Sequence, residues 1–318
     1  MNEQNPIVFG PVPSRRLGKS IGINNIPPKR CTYSCVYCQL GRTYHMQINR
    51  TSFYKPKDII QQVKTKIKHT KEKNERIDYL TIVPDGEPTL DENLGILIQQ
   101  LKQLSYPVAV ITNSSLLYRN DVRSDLQKAD WVSVKIDSID ESTWKQIDRP
   151  YGKLNFNDIL TGITHFSKSF TGTLCTETMM IDQINDDEEN ILHLARFIKS
   201  LQPSKSYLSI PTRPPAEKWV KPASERKLTK AYHLFSQEQI PTELLIGYEG
   251  NEFAFTGDAE QDILSITAVH PMREDAVEAF LKKANENWSL IERLINENKI
   301  VKHTMNNTSF YSRKLSKR

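Results

Sequence analysis

Three of the four cysteines of this 318-residue chain, Cys31, Cys35 and Cys38, fall inside the stretch CTYSCVYCQLGR. Thiolates spaced C-x-x-x-C-x-x-C have several uses. They can hold a structural zinc ion if a fourth ligand such as His45 completes the tetrahedron. Cys35 and Cys38 alone can form a redox dithiol, which leaves Cys31 without a part. All three together can ligate three irons of a [4Fe–4S] cluster and leave the fourth iron open to another ligand. Structural zinc sites generally draw on two separated ligand pairs, whereas the fourth cysteine, Cys175, lies far away in an apolar run.

Other polar residues sit where polar residues are rare. Lys135 interrupts WVSVKI and Glu177 interrupts LCTETMMI, two runs that otherwise read as buried strands. A buried carboxylate is costly without a cation or a ligand, so Glu177 needs a partner. DGEP (Asp85 to Pro88) and TNSS (from Thr112) close two further apolar runs, and either can be a plain turn. Arg149 in DRPYG and Arg213 in PTRPP carry forked guanidinium groups suited to an anionic substrate, or to loop salt bridges.

With Tyr37 just before the last cysteine, the motif resembles the signature of the radical S-adenosylmethionine (radical SAM) superfamily. DGEP stands where that superfamily carries a GGEP-like motif, with Asp85 in place of the first glycine. GPVPSRRLGKSIGI, CVYCQLGR, IPTRPP and VHPMRED extend the resemblance over essentially the whole chain. The subgroup they are similar to comprises stand-alone iron–sulfur oxidoreductases related to the wyosine-base synthases that modify tRNA.

The resemblance implies that Cys31, Cys35 and Cys38 bind the cluster, whose open iron is chelated by S-adenosylmethionine. Reductive cleavage would then give a deoxyadenosyl radical that abstracts hydrogen from a substrate. It places Tyr37 beside the cluster, and Gly86, Glu87 and Pro88 at the methionine amino group. Asn113, Ser133, Lys135 and Glu177 complete the implied cofactor-binding set. Catalytic candidates are Lys135, Cys175, Arg149 and Arg213, although Cys175 also reads as a small buried hydrophobe. Implied partners are an electron donor such as flavodoxin or ferredoxin, and tRNA or another anionic substrate. A second cluster is not expected, because Cys175 alone cannot bind one, and this separates the chain from the wyosine-base synthases themselves.

The elements that must position these residues alternate. Apolar strands and amphipathic helices follow one another as six strand–helix units, which implies parallel pairing. An open doubly wound sheet and an incomplete barrel both satisfy that pattern, and in both the chemistry lies at the carboxyl ends of the strands. The resemblance selects an α/β fold with a partial (β/α)6 barrel over residues 1–240. Over 241–318 the rhythm changes to a hairpin around Glu249–Asn251, two helices, and two strand-like runs about Asn306–Asn307, a small α+β, winged-helix-like region.

Charge is uneven although the net value is only +5. No acid occurs between Glu3 and Asp58, while nine Lys or Arg residues do, among them Arg15, Arg16 and Lys29. That distribution suits an anionic ligand near the cysteines. No apolar run reaches the roughly 18 residues of a membrane span, and the amino terminus lacks a signal-peptide layout, so a cytoplasmic protein with reduced thiols is expected. The competing class is a nucleic-acid-binding protein whose cysteines hold a structural metal.

Overall fold

The structure is a computed structural model that describes residues 7–246, 253–269, 271–305 and 307–314. The chain begins with a hairpin, β1 (Val8–Ser14) and β2 (Gly18–Ile23), then two short strands, β3 (Arg30–Cys31) and β4 (His45–Met46). Strand–helix units follow as α1 (Pro56–Glu72), β5 (Tyr79–Ile82), α2 (Leu94–Lys102), β6 (Val108–Thr112), α3 (Asn120–Leu126) and β7 (Trp131–Lys135). After α4 (Glu141–Asp148) and α5 (Phe156–Ser169) come β8 (Thr173–Met179), α6 (Glu188–Leu201), β9 (Lys205–Ser209), α7 (Glu225–Gln237) and β10 (Thr242–Leu245). The remainder is α8 (Ala259–Val269), β11 (Met272–Arg273), α9 (Glu274–Ala284), α10 (Ser289–Asn296), β12 (Ile300–Met305) and β13 (Thr308–Arg313).

Eight strands form one sheet in the order β1-β2-β5-β6-β7-β8-β9-β10, parallel throughout except for β1 against β2. The sheet curls into a partial barrel. Its two edges approach closely enough for Arg15, in the β1–β2 turn, to donate to the Leu245 carbonyl at 3.1 Å. Leu17 from the same turn packs with Ala109, Trp131, Cys175, Tyr207 and Leu245, one side chain from each of the five strands β6 to β10. These residues fill the barrel interior below the strand ends, as alternation along strands requires.

Helix starts follow local chemistry. Asp140, Asn155 and Asp187 accept from the backbone N–H three residues on, at 2.8, 3.0 and 3.0 Å, and so cap α4, α5 and α6. The apolar stripes of the helices then cover the outside of the sheet, with Ile59 and Val63 of α1 and Leu194 and Ile198 of α6 buried in the main core.

The six expected strand–helix units are present, and the sheet carries two more strands than they supply. β1 is missed by sequence reading because GPVPS looks like a turn, yet an edge strand tolerates proline. The segment expected to open a hairpin instead gives β10, parallel to β9, while the tip at Glu249–Asn251 lies outside the described residues. The short helices α4 and α8 were not anticipated.

Beyond β10 the order is helix, strand, helix, helix, hairpin, with a three-stranded sheet β11-β13-β12, a winged-helix-like topology with its own core around Phe280, Ile291 and Tyr311. This unit rests on β1. Ala268 of α8 meets Phe9, and the Ala254 N–H donates to the Pro11 carbonyl at 3.2 Å. Lys66 of α1 bonds Asp262 of α8 at 2.9 Å, and Lys283 of α9 bonds Glu75, which also takes Lys19 at 3.2 Å.

Asp262→Ala would leave the half-buried Lys66 ammonium without its carboxylate, at a cost on the order of 3 kcal/mol. Thermal unfolding should show a lowered midpoint. Replacing both residues by apolar side chains should restore much of the loss, and a single variant as stable as the parent would show that the contact contributes nothing.

Candidate active site

A cavity of about 390 Å³ opens at the carboxyl ends of the strands and runs into the barrel. Cys31, Cys35 and Cys38 line it together with Tyr37, Asp85, Lys135, Glu177 and Arg213.

The cysteine segment is held from three sides. β3 and β4 pair with each other, and the Gly41 N–H donates to the Cys38 carbonyl at 3.0 Å with glycine at φ +80°, a left-handed turn that a side chain would strain. The Ser34 and Val36 N–H groups donate to the Asp148 and Ile147 carbonyls at 3.0 and 2.9 Å. The loop thereby satisfies carbonyls that the end of α4 would otherwise leave open. From the far side, Glu217 takes a bidentate pair from Arg42 at 2.8 and 2.9 Å and one bond from Arg149 at 2.5 Å.

Burial dominates the three thiols. It pushes Cys31 up to about 12, with the Glu87 carboxylate adding to it, and it raises Cys35 well above the usual thiol range with help from Asp148. Cys38 is raised by burial as well. Thiols in this state hold their protons until a metal takes their place. Among the described residues no three His, Cys, Asp or Glu side chains converge on one point as they would around a single ion. A four-iron cluster asks instead for one thiolate at each of three separate irons.

Behind the cysteines lies a paired set of charges. Glu177 is bonded by Arg16 from the β1–β2 turn, by Lys135 at 3.5 Å and by the Ser209 hydroxyl at 3.2 Å. Lys135 also lies 3.8 Å from Asp137 and 4.9 Å from the centre of the Tyr37 ring. The Tyr37 hydroxyl donates to Asp137 at 2.5 Å and to Asp148 at 3.3 Å, and the Cys35 thiol donates to Asp148 at 3.2 Å. Burial, and then the neighbouring Asp137 charge, hold Asp148 well above the usual carboxylate range.

DGEP is built differently from a simple turn. Glu87 accepts from the hydroxyls of Thr89 and Thr112 at 2.5 and 2.6 Å and from the N–H groups of Thr89 and Asn113 at 3.1 and 2.7 Å. It thus ties the end of β5 to the end of β6. Gly86 is glycine because an added Cβ would stand 1.9 Å from the Arg30 carbonyl oxygen. Asp85 is 3% exposed, and neither carboxylate oxygen has a hydrogen-bond partner among the described residues. A buried anion left in this way fits a site that receives a cation, and S-adenosylmethionine carries two, an ammonium and a sulfonium. With three thiols lining the same cavity, the residues present fit both the cluster and the cofactor.

The expected residues divide into two groups. Tyr37, Gly86, Glu87, Asn113, Lys135, Glu177 and Arg213 line the cavity with the cysteines, and Arg213 donates to Gln39 at 3.0 Å. Pro88 sits just behind, where its carbonyl accepts from Asn25 at 3.0 Å. Ser133 and Cys175 face each other across β7 and β8, below the cavity lining, and burial raises the Cys175 thiol to about 11. Arg149 serves the Glu217 latch outside the lining. Arg16, Lys29, Asp137, Asp148 and Ser209 were not singled out as site residues. The acid-free run flagged Arg16 and Lys29, and the strand-end position flagged Asp137, while Asp148 and Ser209 carried no signal.

A family model described as the radical SAM superfamily matches residues 25–195. A UPF0026 protein of Methanocaldococcus jannaschii is 47% identical over 98% of this chain and 97% of its own length. Among solved structures, a radical SAM methyltransferase from Sphaerobacter thermophilus matches with a TM-score of 0.56 at 14% identity, over 71% of this chain and 66% of that one. TYW1 with a lysine-pyruvate adduct bound matches with a TM-score of 0.52 at 17% identity, over 70% and 75%. The two structures share the fold with this chain. No helix among the described residues is long and apolar enough to cross a membrane.

Burial raises the Asp85 carboxyl from 3.8 to about 7 against the pull of Lys29. Between those values the folded protein binds a proton that the unfolded chain does not, so this group's contribution to stability falls as pH rises from about 4 to about 7. In cluster-free protein, Asp85→Asn should therefore unfold at a higher temperature than the parent at pH 8 and show little advantage at pH 5. Asp91, raised to about 6 by burial, gives the same slope to both proteins and cancels. Melting curves at the two pH values that differ by the same amount would contradict this.

Proposed function

Because the chain belongs to the radical SAM superfamily, we propose that Cys31, Cys35 and Cys38 hold its [4Fe–4S] cluster and that the cavity beside them binds S-adenosylmethionine and an anionic substrate. The protein is an enzyme, and the cluster and S-adenosylmethionine are its cofactors. The observation that carries the residue assignment is that all three thiols of one latched loop line the same cavity as the charged ends of β7 and β8.

When bound, the two cofactors supply one-electron cleavage of a sulfonium and a carbon radical that takes hydrogen from a substrate. The chain's own residues orient and exclude. Tyr37, fixed by Asp137 and Asp148, forms a wall next to Cys38 and presents its ring to Lys135. Arg16 and Lys135 hold Glu177 in place at the mouth of β8. The Glu217 latch keeps the cysteine loop on the barrel. An external one-electron donor of the flavodoxin or ferredoxin kind would load the cluster.

Anionic substrates are favoured by Arg15, Arg16, Lys29, Lys135 and Arg213, all of which line the cavity. Within that class, tRNA is the candidate supported by the winged-helix-like unit. The exposed face of α10 is mixed, with Glu292 and Arg293, and Glu297 follows at its end, so the phosphate-facing element is the hairpin of β12 and β13 with Lys302 and His303 exposed on it and Lys314 exposed just after it.

Protein reconstituted anaerobically with iron and sulfide should convert S-adenosylmethionine to deoxyadenosine and methionine under strong reduction, and Cys31→Ala should lose this activity. Absence of cleavage in fully loaded parent protein would sink the assignment. Transfer RNA should bind with an affinity that falls as salt rises, and Lys302→Ala with Lys314→Ala should reduce that slope. Salt-independent binding would remove the phosphate contacts from the proposal.

A further inference from the structure

Three carboxylates line the cavity, and two of them are already committed. Glu87 takes four hydrogen bonds from Thr89, Thr112 and Asn113, and Glu177 is held by Arg16, Lys135 and Ser209. Asp85 is the third. Its backbone is fully used, with the N–H donating to the Asn24 side-chain oxygen at 3.2 Å and the carbonyl accepting from the Lys29 N–H at 2.7 Å. Its side chain is not, since both oxygens are buried in the cavity wall without a hydrogen-bond donor. The Lys29 ammonium, the cation whose charge acts on Asp85, donates instead to the Gly41 carbonyl at 3.3 Å. A carboxylate in that position costs stability unless a cation completes it.

We propose that the Asp85 carboxylate directly holds an ammonium group, and that this group is the α-ammonium of S-adenosylmethionine rather than an amine of the substrate. The inference rests on the cofactor assignment above. It gives a side chain the task that a GGEP-like motif, with glycine at this position, has to leave to backbone. The cofactor is preferred over a substrate amine because Asp85 stands next to the cysteine loop. Its carbonyl bonds the N–H of Lys29, two residues before Cys31, and Asp85 lines the same cavity as the three thiols. A substrate lying deeper, toward Glu177 and Arg16, meets charges that are already paired.

The test is equilibrium dialysis on protein carrying its reconstituted cluster, without reductant, using S-adenosylmethionine and the analogue that lacks the α-amino group. In the parent, removing the amino group should weaken binding about 10- to 100-fold, the range for a hydrogen bond to a charged group. Asp85→Asn should weaken S-adenosylmethionine by a similar factor and leave the deaminated analogue nearly unchanged, the signature of two groups that meet. An Asp85→Asn protein that binds S-adenosylmethionine like the parent overturns the inference, and would send any ammonium at Asp85 to the substrate. Equal weakening of both ligands overturns it too, since the effect would then be one of shape. If the variant takes up no iron, the parent alone decides, and equal affinity for the two ligands refutes the contact. Parent protein that binds and cleaves S-adenosylmethionine while Asp85 proves irrelevant leaves the assigned function standing. Loaded parent that neither binds nor cleaves it removes both.

Discussion

Glu177 on β8 and Arg16 in the β1–β2 turn are far apart in the sheet, and their ion pair crosses the barrel interior. The parallel strands supply an apolar wall, and a carboxylate on such a wall persists only where cations reach it. Arg16 reaches it because the β1–β2 turn folds under the sheet, with Leu17 filling the floor and Arg15 touching the far edge. Lys135 reaches it from the adjacent strand and in turn presses on Tyr37. Tyr37 is anchored by Asp137 and Asp148, and Asp148 takes the Cys35 thiol. One pairing requirement therefore propagates from the floor of the barrel to the cysteine loop.

The loop itself shows the same economy of function. Its N–H groups close the end of α4, its carbonyl at Arg30 excludes any side chain at Gly86, and its arginine at position 42 is bound from the opposite rim. The three thiols are thus presented by a rigid piece of backbone rather than by a free excursion, which is what orientation of a reactive cofactor demands.

Much of this was legible in the sequence, for identifiable reasons. Cysteine spacing and the strand–helix rhythm are local signals, and they carried the barrel, the cavity-facing cysteines and the residues at strand ends. Lys135 and Glu177 stood out because charge in an apolar strand violates a strong rule. What stayed hidden depends on tertiary contact. Nothing local says that Arg16 meets a residue 161 positions away, or that Asp148 at the end of a short helix lies against Cys35. Nothing local says that Gly86 makes room for the Arg30 carbonyl. Asp85 was visible only as a departure from a familiar motif, because the absence of a donor at its oxygens among the described residues is a tertiary property.

The contact between Arg15 and Leu245 has a bearing on solubility. A curled sheet that stops short of closure keeps two rows of backbone donors and acceptors, each a template for strand exchange with another copy. Here one row lies on β1, broken by Pro11 and Pro13 and roofed by α8, while the other lies on β10, a strand of four residues clasped by an arginine. The gap between the two edges is in this way kept from becoming a seam for aggregation.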